Sequence, residues 1–218
     1  MQHQSMVQEV TTAMQIAKNV HWITRAKGSY VYLVLGDEPV LIDTGMPNRG
    51  PDILEELREL GIRPQDIAHI VLTHHDVDHI GNAKHLKALS GATLWAPERD
   101  VPYIHGAAPR PGIKRAIASL VRHERPEVDR IYQAGQTVGG LEVIETPGHT
   151  PGHVSFRYQD ILFPGDLVMT RRGKIVPSPR FLAWDHRVLM QSIDSVRRLT
   201  FDWVCPAHGQ PVRRTPLF

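Results

Sequence analysis

Five times along this chain a short apolar run ends in a stretch of small or turn-forming residues that carries a side chain of the kind that binds metal ions. The instances are Val40-Leu41-Ile42 before Asp43-Thr44-Gly45, Ile70-Val71-Leu72 before the six residues His74 to His79, Val143-Ile144-Glu145 before Thr146-Pro147-Gly148-His149, Ile161-Leu162-Phe163 before Pro164-Gly165-Asp166, and Trp203-Val204-Cys205 before Pro206-Ala207-His208. Each apolar run has the length of a buried strand, and glycine or proline ahead of His149, Asp166 and His208 holds a tight turn open at its end. If the strands belong to packed sheets and point the same way, their ends gather along one edge. His74, Asp76, Asp78, His79, His149, Asp166 and His208 then form a single constellation.

The densest part of the pattern is His74-His75-Asp76-Val77-Asp78-His79, with three histidines and two aspartates. Neutral imidazole nitrogens and carboxylate oxygens are the ligands that zinc, iron and manganese accept. The plain alternative is a solvated first helical turn with Asp78 as its cap. A cap requires only one such residue, and here there are five.

With 218 residues, 41% of them hydrophobic, the chain can bury a sizeable core and is expected to fold as a single domain over 1–218. Its apolar runs fall far short of a membrane span, and the start, Met1 to Val10, lacks the apolar core of a signal peptide, so a cytoplasmic location is expected. Twenty-five basic against 23 acidic side chains leave a formal charge of +2, which gives no footprint for nucleic acid or a membrane surface. Cys205 is the only cysteine, so there is no intrachain disulfide and no thiolate-rich site; it reads as a small buried residue.

Periodicity predicts strands over 14–23 and 29–35, a turn at Gly36-Asp37-Glu38-Pro39 and a strand over 40–42, an antiparallel opening. A helix over 52–60 puts Ile53, Leu54, Leu57 and Leu60 on one face and stops at Gly61; a second over 82–89 stops at Gly91. After a strand over 93–96, residues 97–112 read as loop or lid, and Ile113, Ala116, Ile117, Leu120 and Val121 fall at helical spacing. Strands over 141–146, 155–158 and 160–163, a helix over 188–199 and a strand over 201–204 complete the chain. It carries no repeat and no low-complexity segment.

The order and spacing of the five motifs resemble the metallo-β-lactamase superfamily over nearly the whole chain, from Asp43 to His208. The resemblance implies an α+β fold, a four-layer αββα sandwich of two similar halves with a metal site at the sheet edge. Carried over residue by residue, it assigns His74, Asp76 and His149 to a first metal, Asp78, His79 and His208 to a second, and Asp166 to both as a bridge. Asp78 and Asp166 become the catalytic carboxylates, and Asp43 a supporting residue beside the site. Two divalent ions, zinc in the first place with iron or manganese as alternatives, would lie about 3.5 to 4 Å apart and hold one hydroxide between them.

Two departures from the family pattern matter. Most members carry histidine where this chain has Asp76, so that three carboxylates and a hydroxide would cancel two divalent ions, and a less positive site acidifies its water less. Carboxylate is also the harder ligand, which shifts preference toward iron or manganese and resembles the flavodiiron branch; that branch carries glutamate there and works with a flavin domain, for which this chain has neither room nor motif. His75 could replace Asp76 only by turning to the opposite face of the extended backbone. Asp166, in turn, resembles the thioesterases, lactonases and phosphodiesterases of the superfamily rather than the zinc β-lactamases, which lack it. The chain ends at Phe218, soon after His208, without the C-terminal helical domain of glyoxalase II, and neither the added domain nor the basic arm of the RNA-processing members is visible.

Weaker candidates surround this set. His153, four residues after His149, resembles a residue that orients the site, and His105 and His186 lie on loops that could reach a substrate. Arg171 and Arg172, with Lys174 and Arg180, follow Asp166 and could hold an anionic group; the alternative is solvated surface. Trp95, Pro102, Tyr103 and Ile104 either wall the pocket or pack in the core. Three readings of function result: a metal-dependent hydrolase of a small-molecule ester, thioester or lactone, an iron-dependent oxidoreductase of the same fold, and a non-catalytic regulatory member.

Overall fold

The first half of the chain builds a seven-stranded sheet whose order follows the sequence: β1 (Met14–Ala17), β2 (Val20–Ile23), β3 (Val31–Val34), β4 (Val40–Ile42), β5 (His69–Val71), β6 (Thr93–Ala96) and β7 (Arg130–Ile131). Strands β1 to β4 are antiparallel, and β4 to β7 parallel. The second half builds a six-stranded sheet from β8 (Thr137–Val138), β9 (Leu141–Glu145), β10 (Val154–Tyr158) and β11 (Ile161–Phe163), then, after a separate hairpin of β12 (Val168–Arg171) and β13 (Lys174–Pro177), β14 (Trp203–Val204) and β15 (Val212–Arg213). The computed structural model describes residues 14–215 apart from 113, 122 and 134.

Side-chain alternation stacks the layers. On β3, Val31 and Leu33 enter a core shared with Ile53 and Leu57 of α1 (Gly50–Glu59), whereas Tyr32 and Val34 enter a second core shared with Phe156 and Phe163 of the other sheet. The α2 (Val77–Ile80) and α3 (Ala83–Ser90) helices close the first core with Ile80, Ala83 and Leu86. A third core packs Leu162 and Val204 of the second sheet against Leu189, Ile193 and Val196 of the last helix. Each fully buried Leu, Ile or Val contributes about 1.5–3 kcal/mol, so the three cores together fix helix, sheet, sheet and helix as four layers. Two short helices, α4 (Val101–Ile104) and α5 (Lys114–Leu120), lie between β6 and β7, and the last is α6 (His186–Val196).

Several sequence expectations shift. The predicted strand over 14–23 is a hairpin, because Asn19 takes a left-handed φ of 67° and turns the chain between β1 and β2. Residues 97–112 are partly helical: a 3-10 turn at Glu98–Asp100 runs into α4. Of the residues at helical spacing there, Ala116 and Leu120 are exposed, Leu120 at 85%, and Val121 is half-buried; Ile113 and the side chain of Ile117 lie outside the described residues. Ile104 is buried in the first core and Trp95 packs against the second, so these two are packing residues. No helix among the described residues is long and apolar enough to cross a membrane.

Candidate metal centre

All five polar tips leave their strands at one edge. Strands β4 and β5 are parallel, so Asp43 and His74 emerge together. In the other sheet β9 and β11 are each antiparallel to β10, and β14 is parallel to β11, so His149, Asp166 and His208 emerge together as well. The turns that carry them need glycine: Gly148 has φ 131°, and a Cβ there would strike the Leu189 backbone of α6. Gly165, at φ 52°, would bring a Cβ within 2.8 Å of His153 Nε2.

The ligand-type atoms fall into two groups. Those of His74, Asp76, His149 and Asp166 lie within 4.8 Å of one another, and so do those of Asp78, His79 and His208. Asp166 faces both, with Oδ2 3.3 Å from His149 Nε2 and Oδ1 3.3 Å from His208 Nε2 and 3.4 Å from His79 Nε2. Asp76 is the residue before α2, yet its carboxylate caps nothing; Oδ2 turns instead toward His149 Nε2 at 3.0 Å and His74 Nε2 at 3.4 Å. A capped solvated turn would have used that side chain on its own backbone.

Hydrogen bonds on the far side of the rings decide which nitrogen points inward. Asp43 accepts from Thr73 N at 2.8 Å and from the Thr73 hydroxyl at 2.7 Å, and its Oδ2 lies 2.8 Å from His79 Nδ1. Having given its proton to Asp43, the Thr73 hydroxyl accepts from His74 Nδ1 at 2.9 Å. His149 Nδ1 meets the Ser178 hydroxyl at 3.2 Å. The Nε2 atoms of His74, His79 and His149 are thereby all turned to the centre, as second partners do for metal-bound imidazoles.

This arrangement leaves lone pairs with nothing to bind. His74 Nε2 and Asp76 Oδ1 are buried without a hydrogen-bond partner among the described residues, an arrangement costing about 1–3 kcal/mol per group unless a cation satisfies it. Burial, then the neighbouring His79, holds His74 well below the ordinary histidine range, so its ring is neutral and ready to donate. Burial would raise the Asp166 carboxyl, but His208, His79 and His149 outweigh it and keep it ionised. The Asp166 carboxylate, against the burial that opposes it, pushes His208 up to about 10. The Asp166 and His208 shifts express their mutual attraction, whereas the His74 shift expresses burial and the repulsion of a neighbouring imidazole.

Other predicted residues find definite places. His153 Nε2 accepts the Asp166 backbone N–H at 3.0 Å while Nδ1 lies 3.1 Å from Thr146 O, so the ring fixes the turn that aims Asp166. His75 is buried away from the centre, 2.9 Å from Asp100 and against the Tyr103 ring, and does not replace Asp76. Arg171 and Arg172 do not join the site: both are exposed at the tip of the β12–β13 hairpin and neither lines the cavity over the metal-type groups. Nor do His105 and His186 line it.

Three residues unforeseen in the sequence take part. Asp100 accepts from His75 N, Thr150 Oγ1 and Gly152 N at 2.7 to 3.0 Å, tying the loop after β5 to the loop after β9. Arg110 donates to His75 O at 2.8 Å and, with Lys114, forms the basic part of a cavity of about 310 Å³ whose apolar wall includes Met46, Val77, Met169 and Leu182. None of the three has a local pattern to mark it; Asp100 alone sits in a segment whose proline and acidic content signals a tight turn.

Comparison with known proteins agrees with this geometry. A family model described as the Metallo-beta-lactamase superfamily matches residues 24–208. The probable metallo-hydrolase YflN of Bacillus subtilis (strain 168) is 25% identical over 228 residues, covering 91% of this chain and 86% of that protein. A hydroxyacylglutathione hydrolase of Rhodospirillum rubrum is 28% identical over 172 residues, covering 77% of this chain and 59% of that one. Among solved structures, BJP-1, a subclass B3 metallo-beta-lactamase of Bradyrhizobium japonicum, has a TM-score of 0.72 at 26% identity, with 89% of this chain and 76% of that chain covered.

Proposed function

Because the chain belongs to the metallo-beta-lactamase superfamily and is a metallo-hydrolase, we propose that it hydrolyses an ester, thioester or lactone of a small molecule with two divalent ions, zinc in the first place. His74, Asp76 and His149 would hold the first ion, Asp78, His79 and His208 the second, and Asp166 would serve both. Bound there, the ions supply Lewis acidity for a carbonyl oxygen and a hydroxide near neutral pH. The observation that carries this reading is the pair of converging donor groups beneath one cavity, with His74 Nε2 and Asp76 Oδ1 buried and without a hydrogen bond.

The chain's own residues do the rest. Asp43 and Thr73 engage Nδ1 of the His79 and His74 rings, so that Nε2 of each faces the centre. Asp166 offers one oxygen to each group, which sets their spacing. Asp78, 24% exposed and lining the cavity, is the carboxylate placed to orient a water and take its proton. A cavity of about 310 Å³ suits a compact substrate, and its apolar wall with Arg110 and Lys114 favours an acyl compound bearing polar or anionic atoms on one side. The relative named hydroxyacylglutathione hydrolase supports an acyl substrate.

The test is a screen of esters, thioesters and lactones with protein of known metal content. His74→Ala, Asp78→Ala and Asp166→Ala are each expected to lower turnover by about 10²-fold or more, with an unchanged circular dichroism spectrum. Full activity in Asp166→Ala would remove the shared role of that carboxylate. Stoichiometric iron with oxygen consumption would move the chemistry from hydrolysis to the oxidoreductase reading.

A further inference from the structure

The first donor group contains a cation of the protein's own. Lys114, at the start of α5 and 6% exposed, places Nζ 2.6 Å from Asp76 Oδ2, 2.8 Å from His149 Nε2 and 3.1 Å from His149 O. Asp76 Oδ2 and His149 Nε2 are themselves 3.0 Å apart and belong to the four donors that converge there. An imidazole nitrogen has one lone pair. When Lys114 donates a hydrogen to His149 Nε2, that nitrogen is closed to a metal, and Nδ1 is already committed to Ser178.

The second group has no such occupant: among the described residues no lysine or arginine pairs with Asp78, His79 or His208. Lys114 also lines the cavity, so its flexible four-carbon stem has a place to carry the ammonium when it leaves the donors. We propose that Lys114 is a resident competitor for the first metal position, so that the protein loads metal in order, the Asp78, His79 and His208 group first and the His74, Asp76 and His149 group only as Lys114 withdraws into the cavity. The proposal rests on the metallo-hydrolase reading above and adds the order of loading to it.

This pairing also gives Asp76 a reason. A carboxylate at position 76 anchors an ammonium more strongly than a neutral histidine would, and with no metal bound the charge of Asp76 is offset by Lys114 close by.

Cobalt(II) titration of the chelator-stripped full chain, followed by visible absorption and by elemental analysis after desalting, tests the order. Wild type is expected to retain one ion per chain tightly and a second weakly, with His208→Ala removing the tight step and His74→Ala the weak one. Lys114→Met and Lys114→Gln, two neutral variants, are expected to tighten the weak step by about tenfold or more and leave the tight one unchanged. Two equal steps in wild type, the reverse assignment of the steps, or unchanged isotherms in both Lys114 variants would overturn the proposal while leaving the metallo-hydrolase reading in place. Failure of wild type and both variants to bind any ion would overturn both.

Discussion

Replacing Asp43 by asparagine changes no volume but reverses one hydrogen bond at the heart of the site. In the native protein Asp43 Oδ1 accepts from Thr73 N, and Oδ2 accepts from the Thr73 hydroxyl and faces His79 Nδ1 at 2.8 Å. An asparagine that keeps the Thr73 N bond through its carbonyl must point its NH₂ at Nδ1, where two donors then oppose each other. The ring escapes by moving its proton to Nε2, the atom that lies 3.4 Å from Asp166 and 3.7 Å from Asp78, and so loses the lone pair it presents to a metal. The opposite amide orientation sets NH₂ against Thr73 N–H instead. Either way a buried charge-assisted bond is lost, worth about 1.5–3 kcal/mol of stability. Orienting partners of this kind change metal affinity by about 10–100-fold, or about 1.4–2.7 kcal/mol. Chelator competition at constant pH reads the affinity, and urea unfolding of the metal-free protein reads the stability. An Asp43→Asn protein that keeps wild-type affinity for both ions refutes the tautomer argument, whatever happens to its stability.

Two further outcomes follow from buried geometry. Burial, with the neighbouring His149 acting in the same direction, lowers His153 from its ordinary 6.5 to about 3, so the folded protein holds it neutral while the unfolded chain protonates it. Its contribution is complete above pH 6.5 and shrinks as pH falls toward 3, by about 1.4 kcal/mol per unit. Denaturant unfolding at successive pH values should therefore show a shallower acid loss in His153→Gln, whose amide still accepts from Asp166 N and donates to Thr146 O; an identical slope would mean that His153 is already charged in the fold. Gly148→Ala combines a φ of 131° with a Cβ driven into the Leu189 backbone, which cannot rotate aside. It should lose about 3 kcal/mol or more, with a lower Tm in a thermal melt, and a wild-type Tm would show that α6 shifts freely.

How much of this was legible beforehand depends on how local each signal is. Asp43, His74, His149, Asp166 and His208 each lie within a few residues of the end of an apolar strand, so their chemistry and their place at a strand end are written within a few neighbouring positions. The layers were implied by the family resemblance rather than by local pattern, since Val31 to Val34 is apolar throughout and only the fold shows Val31 and Leu33 entering one core and Tyr32 and Val34 the other. Failures cluster where the deciding partner is distant in sequence or the element is very short. Arg171 and Arg172 follow Asp166 closely, but β12 runs outward and its return along β13 carries both to an exposed tip. Asp100 and Lys114 matter only through partners on other elements, His75, Thr150 and Gly152 for the one, Asp76 and His149 for the other. Asp76 joins the two cases. In the sequence it stands out as a carboxylate where a histidine belongs, and a local reading can weigh only its hardness and its charge. In the fold, burial would raise its carboxyl, yet the charge of Lys114 close by and the neighbouring His149 and His74 rings hold it well below the usual carboxylate range. A substitution that looks like a change of metal preference when read alone is one half of a buried ion pair when read with its partner, and the partner lies on a helix that no spacing rule connects to it.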